Sequence, residues 1–323
     1  MKKPLMVLTG PTAVGKTSLS IKLAENLDGS VISADSMQVY KQMNIGSAKI
    51  MPDEMCGIPH YLVDVLEPWE EFHVARFKQM AMDAIQDIYQ QKRLPILVGG
   101  TGFYIQAILK DVDFSKDSGK SAFRRELEDM AATGGSDELY QTLKKEDPVS
   151  AEKIHPNNVK RVIRALEYYH ETGQPISLHN SEEMKKESPF CYTYFVLNDK
   201  REHLYGRINH RVDQMMELGL LEEVKGLKSL GLTNQMVSMQ GLGYKELLSY
   251  LDGNISLDDA VETIKRDTRH FAKRQITWFK REKDVIWIDK SEFDYDEDAI
   301  LNKILLIWQE RTRNRNGEYH DDR

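Results

Sequence analysis

Eight consecutive residues carry the clearest chemistry in this 323-residue chain: Gly10-Pro11-Thr12-Ala13-Val14-Gly15-Lys16-Thr17, a glycine, four residues, then Gly-Lys-Thr. Glycines at these two places let backbone N–H groups turn inward on a polyphosphate. The lysine adds a point charge and the threonine hydroxyl can ligate Mg²⁺. Whether the polyphosphate belongs to a nucleotide is open at this point. A second constellation is Asp35-Ser36-Met37-Gln38. Just past the carboxyl end of a parallel strand, Asp35 can hold Mg²⁺ through water, act as a general base, or cap a helix. A third is Gly99-Gly100-Thr101-Gly102, whose Thr101 hydroxyl can serve a ligand or its own turn. An ATPase ordinarily closes such a strand with an acid for Mg²⁺ and the attacking water. Glycines stand there instead, which argues against an ATP-driven motor or switch.

Positive charge is the other signal. Arg207 and Arg211 share a helical face and can complete an anion site begun by Lys16, because guanidinium grips phosphate in bidentate fashion. From Lys265 to Lys283 eight Lys and Arg residues meet few acids, with Trp278 and Phe279 interleaved. Phosphate backbones are the natural partner of such a helix, and a solubilising surface is the alternative. Arg124 with Arg125, and Lys160, Arg161 and Arg164, are either a solvated face or further anion contacts.

The elements that must hold these residues follow from periodicity. Apolar runs at Pro4–Thr9, Gly29–Ala34, Tyr61–Leu66, Leu94–Val98, Phe190–Leu197 and Asp284–Asp289 predict buried strands. Helical spacing predicts helices over Ser18–Leu27, His73–Lys92, Arg201–Leu218 and Tyr295–Gln309. It predicts another over Asp258–Lys283, with Val261, Ile264, Thr268, Phe271 and Trp278 as its buried stripe. Alternation of this kind means an α/β fold: a parallel sheet of the P-loop NTPase type flanked by helices. Polar, helix-forming sequence between the strands predicts a helical insertion domain, 113–188, inside a core made of 1–112 and 189–323, with joints at Asp117–Lys120 and Thr133–Ser136. Arg311–Arg323 is polar and predicted to fray.

Composition bounds the rest. Hydrophobic residues make up 41% of the chain, enough for a large core, and a formal charge of −7 excludes indiscriminate nucleic-acid binding without excluding a local basic face. Cys56 and Cys191 form neither a disulfide framework nor a zinc site, which suits a reducing cytosol. No stretch is long and apolar enough to span a membrane. Gly241-Leu242-Gly243-Tyr244 reads as a turn.

Taken in order, the phosphate loop, Asp35-Ser36-Met37-Gln38-Val39-Tyr40, Gly99-Gly100-Thr101-Gly102 and Lys273-Arg274-Gln275-Ile276-Thr277-Trp278-Phe279 closely resemble the bacterial tRNA dimethylallyltransferases over nearly the whole chain. One departure is Phe103, where the family commonly has leucine. The resemblance implies a cytoplasmic, monomeric enzyme that moves a dimethylallyl group from dimethylallyl diphosphate to the exocyclic amine of the adenosine 3′ of the anticodon. It implies Asp35 as general base, with Thr17, Arg207 and the loop Gly10 to Thr17 holding the diphosphate. Mg²⁺ would be bound by Thr17, phosphate and water. The flipped base and its stem-loop would meet Asp35, Ser36, Met37, Gln38, Thr101, Arg124, Asn158, Arg161, Lys273, Arg274 and Gln275. A zinc finger, carried by some eukaryotic relatives at the C-terminus, is not expected. The rivals are a phosphate-loop kinase and a non-catalytic RNA-binding protein.

Overall fold

A computed structural model describes residues 2–114 and 121–317, with side chains through Arg313. In chain order it comprises β1 (Lys3–Thr9), α1 (Lys16–Leu27), β2 (Gly29–Ala34), β3 (His60–Tyr61), α2 (Val74–Gln90), β4 (Leu94–Gly99) and α3 (Gly102–Leu109). Five helices follow: α4 (Ala122–Ala132), α5 (Ser136–Glu146), α6 (Pro148–Lys153), α7 (Val159–Thr172) and α8 (Ile176–Lys185). The chain returns with β5 (Phe190–Asn198), α9 (Arg201–Glu217), α10 (Leu220–Ser229), α11 (Tyr244–Leu251), α12 (Leu257–Phe279), β6 (Val285–Asp289) and α13 (Glu297–Gly317). Contacts divide it into two compact units, Met1–Ile108 with Phe190–Arg323, and Leu109–Pro189.

In the first unit all six strands run parallel in the order β3-β2-β4-β1-β5-β6. The continuous apolar runs have the cause expected of a parallel sheet, burial on both faces: every residue of β2 is buried. One face packs Leu19 and Leu23 of α1, Ile208 of α9, Ala272 of α12 and Ile304 of α13 on Met6, Leu8, Val31 and Phe195. Near β2 and β4, the Phe77 and Tyr104 rings stack at 4.2 Å, with Phe72 edge-on to both. The parallel register aligns Thr9, Ala34 and Gly99 across three strands, so the segments after β1, β2 and β4 leave the sheet side by side. The second unit has its own core of Leu127, Leu139, Leu143, Val162, Ile163 and Leu166. Among the described residues no helix is long and apolar enough to cross a membrane.

Four expectations are corrected. The predicted strand Tyr61–Leu66 is only His60–Tyr61, because Leu62 and Asp64 take left-handed backbone angles, φ 62 and 58, that end the pairing. Helix α12 buries Ala260, Ile264, Ala272, Gln275 and Phe279, whereas Val261, Phe271 and Trp278 are half-buried. Counting apolar residues passed over the small Ala272 and the polar Gln275. Thr133–Ser136 is a tight turn between α4 and α5, closed by Gly135 N–H on the Met130 carbonyl, rather than a joint between units; Asp117–Lys120 lies outside the described residues. The last helix runs on to Gly317, beyond Gln309, and the remainder of the segment expected to fray lies outside the described residues.

The glycine turn after β4 is explained by close approach. A Cβ on Gly102 would lie 2.2 Å from the Trp278 ring, and one on Gly100 2.1 Å from the Gln275 amide. Gly102→Ala should therefore force α12 away from the turn, and we expect urea unfolding to record a loss of about 1–3 kcal/mol.

Candidate active site

The phosphate loop sits between β1 and α1, where the first N–H groups of a helix lack intrahelical partners and carry its positive partial charge. Gly15 has φ 99, a left-handed conformation that a side chain disfavours, and it turns the chain into α1. The Lys16 ammonium folds back over the loop, donating to the carbonyls of Gly10 at 3.0 Å and Pro11 at 2.8 Å. Burial lowers its pKa to about 8; Asp35 opposes that shift and Arg211 adds to it. Thr17, next in the first turn, is exposed.

Asp35 leaves the end of β2 with its Oδ1 accepting from the N–H groups of Met37 at 2.8 Å and Gln38 at 3.3 Å. It thus caps a turn while its charge reaches both Lys16 and Arg211. The expected cap is present, on a turn rather than on a helix. Thr101 occupies the cap position of α3, its carbonyl accepting from Tyr104 and Ile105, and its N–H reaches the Ala34 carbonyl at 3.3 Å.

Gln275 joins the two loops. Its Oε1 accepts from the Thr12 N–H at 2.8 Å and its Nε2 donates to the Gly100 carbonyl at 3.0 Å. The side chain is buried, so the expectation that Gln275 grips RNA is corrected: its amide is engaged within the protein, holding the phosphate loop against the glycine turn. A buried donor or acceptor left without a partner costs about 1–3 kcal/mol, which makes this bridge a strong local constraint.

Three further cations surround the loop. A Cβ built on Gly15 would lie 3.4 Å from an Arg207 nitrogen and 3.1 Å from the Lys290 ammonium. Arg207 is half-exposed, 4.0 Å from the buried Asp199. Burial and then Arg207 lower the pKa of Arg211, with Asp35 opposing. Lys290 donates to the Val14 carbonyl at 3.3 Å, and burial followed by Arg207 lowers its pKa too. The expected anion-binding face of Arg207 and Arg211 does meet the loop, whereas Lys290 was missed from the sequence. The signal for Lys290 was its place directly after a parallel strand, at the same sheet edge as the loop.

The remaining nucleic-acid candidates divide by exposure. Lys273 and Arg274 are exposed on α12, beside buried Gln275. Ser36, Met37 and Gln38 are half-buried, and the Gln38 amide donates to the Ala48 carbonyl at 3.0 Å. In the second unit Asn158 and Arg161 are exposed, whereas Arg124 pairs with Glu128 at 3.0 Å and with buried Glu167 at 2.9 Å. Phe103, at the one departure from the family pattern, meets Trp278 edge-on at 6.3 Å and leaves the glycine turn closed.

Comparison with known proteins gives the family and the fold. The sequence model described as IPP transferase matches residues 38–282. A tRNA dimethylallyltransferase of Lachnoclostridium phytofermentans is 57% identical over 310 residues, covering 96% of this chain and 98% of its own. The crystal structure of a tRNA isopentenylpyrophosphate transferase from Bacillus halodurans superposes with a TM-score of 0.72 at 42% identity, covering 98% of this chain and all of that one. A eukaryotic dimethylallyltransferase solved acting on tRNA gives 0.77 at 36% identity, over 89% of this chain and 74% of its own. With this identity over nearly its full length, and with the same fold, the chain belongs to the IPP transferase family.

Proposed function

We propose that this chain transfers a dimethylallyl group from dimethylallyl diphosphate to the exocyclic N6 amine of the adenosine 3′ of the anticodon in tRNA, releasing diphosphate. The observation that carries the reading is the set Lys16, Arg207, Arg211 and Lys290 around a helix N-terminus, beside a strand that ends in glycines where a hydrolase would place an acid. That set suits a leaving diphosphate. Membership of the family supports it, and nothing favours the kinase.

In the reaction the allylic C–O bond breaks with its electron pair going to the diphosphate, and the N6–C bond forms. The loop N–H groups, Lys16 and the two arginines stabilise the charge that develops on the departing oxygen. Asp35, whose charge already reaches this cluster, accepts the proton lost by N6. The adenine must leave its stack to arrive there, and Ser36, Met37 and Thr101 flank the place where Asp35 would receive it. Lys273, Arg274, Asn158 and Arg161 hold stem-loop phosphates, as does Arg124 once its acidic partners yield. Mg²⁺ takes few protein ligands beside substrate phosphates and water, so the exposed Thr17 hydroxyl at the loop fits it. Among the described residues no cluster of three His, Cys, Asp or Glu offers an all-protein site instead. When bound, the ion would neutralise charge on the diphosphate. We place the enzyme in the cytoplasm, working as a monomer.

Asp35→Asn keeps an acceptor for the Met37 and Gln38 N–H groups while removing the base. Transfer should fall by about 100-fold or more with tRNA affinity unchanged in a filter-binding assay; equal loss of both would point to a structural cap. The Lys273→Ala, Arg274→Ala double variant should lower the slope of log affinity for tRNA against log salt by about 2. An unchanged slope returns α12 to a solvated face. The free protein's Lys16 gives up its proton near pH 8, whereas a bound anion favours the charged form. Calorimetry with sulfate, which does not titrate there, should therefore find affinity falling, and proton uptake rising, as pH climbs through about 8.

A further inference from the structure

Two features have no part in the reaction described so far: the Gly241-Leu242-Gly243-Tyr244 motif and the loop at Asn44–Gly46. They meet at one carboxylate. Glu223 Oε2 accepts from the N–H groups of Asn44 and Ile45, each at 2.8 Å. Its Oε1 accepts from the Gly46 N–H at 3.1 Å and from the Tyr244 hydroxyl at 2.7 Å. Both oxygens are thus shared by two donors, and three successive backbone N–H groups form the kind of concave nest that binds an anion. Tyr244 is fully buried, and its burial together with the Glu223 charge holds the phenol protonated, as a donor.

Packing reinforces the same contact. A Cβ on Gly46 would lie 2.6 Å from the Tyr244 ring, and one on Gly241 would lie 2.5 Å from the end of Met37. From the clamped loop the connection runs straight back to the proposed base. The Gln38 amide donates to the Ala48 carbonyl at 3.0 Å, and the Gln38 and Met37 N–H groups rest on Asp35 Oδ1. Lys49, buried, closes the loop by donating to Asn44 Oδ1 at 2.8 Å and pairing with Asp64 at 2.7 Å.

We infer that Glu223 and Tyr244 are positioning residues: through the Asn44–Ala48 loop they fix the Asp35–Gln38 segment for the incoming adenine. Neither is placed among the groups that meet the reacting atoms, and the inference rests on the reading of Asp35 given under Proposed function. Charge and geometry together require the carboxylate. A glutamine at 223 keeps one acceptor oxygen, so two of the four donors would face an amide NH₂. Hydrogen bonds to a charged acceptor are the stronger ones, and losing two of them releases the loop.

The test uses the full chain as wild type, Glu223→Gln and Tyr244→Phe, read by hydrogen exchange, by prenyl-transfer kinetics, and by the affinity for inorganic diphosphate. In Glu223→Gln, exchange over residues 35–48 should quicken and kcat should fall about tenfold, with the diphosphate affinity unchanged. Tyr244→Phe, which retains the ring and removes one donor, should move the same quantities in the same direction by less. Wild-type exchange and kcat in Glu223→Gln would overturn the inference, as would a matching loss of diphosphate affinity, which would mean general damage. A wild-type protein that transfers no prenyl group would instead sink the proposed function, and the exchange arm would still decide whether the clamp holds the loop.

Discussion

Positive charge gathered at the carboxyl edge of the parallel sheet, with too few acids to balance it, is the constraint on which the site depends. Lys16, the α9 pair Arg207 and Arg211, and Lys290 come from three separate places in the sequence, yet each lies near the phosphate loop or feels another of the four. Burial lowers the pKa values of Lys16, Arg211 and Lys290, and neighbouring cations lower them further. Asp35 and Asp199 relieve part of this repulsion. A bound polyanion would relieve much more, which is why the arrangement is best understood as preorganised for charge that arrives with a substrate and grows as its bond breaks.

Cations held this close repel one another, so the backbone around them must be firmly fixed. Helix α12 does this with its buried face: the Gln275 amide ties Thr12 to Gly100, and Trp278 lies flush on Gly102. Its exposed face carries Lys273 and Arg274. One helix therefore joins the phosphate loop to a basic surface of exposed Lys273 and Arg274. The glycines after β4 are the counterpart of that helix. A side chain on Gly99 would meet the Ala34 backbone, and one on Gly100 or Gly102 would meet Gln275 or Trp278 of α12.

Much of this was legible in the residues. The phosphate loop, Asp35 at a strand end, the glycine turn and the charge of α12 are local patterns, set by spacing along the chain, and the structure places the first three at one sheet edge. Lys290 had only a weak signal, its place directly after the predicted last strand, because a single lysine there matters only through the tertiary approach of β6 to the loop. The family resemblance put Gln275 among the RNA contacts; its burial depends on which face of α12 meets the sheet. The clamp of Glu223 and Tyr244 on Asn44–Gly46 joins residues about 180 positions apart and leaves no local pattern. The two-residue β3 ended where Leu62 and Asp64 adopted positive φ, a backbone choice that side-chain type alone did not announce.

The central claim is that the loop holds an allylic diphosphate facing an RNA base, in place of a nucleotide serving as phosphoryl donor. Its most direct measurement incubates the wild-type protein with unmodified tRNA and Mg²⁺, in one arm with dimethylallyl diphosphate and in the other with γ-labelled ATP. The tRNA is then digested and its nucleosides weighed by mass spectrometry. Prenylated adenosine from the position 3′ of the anticodon, with diphosphate released and no label transferred from ATP, is the predicted result. Unmodified adenosine in the first arm, or phosphoryl label on an acceptor in the second, would contradict the account.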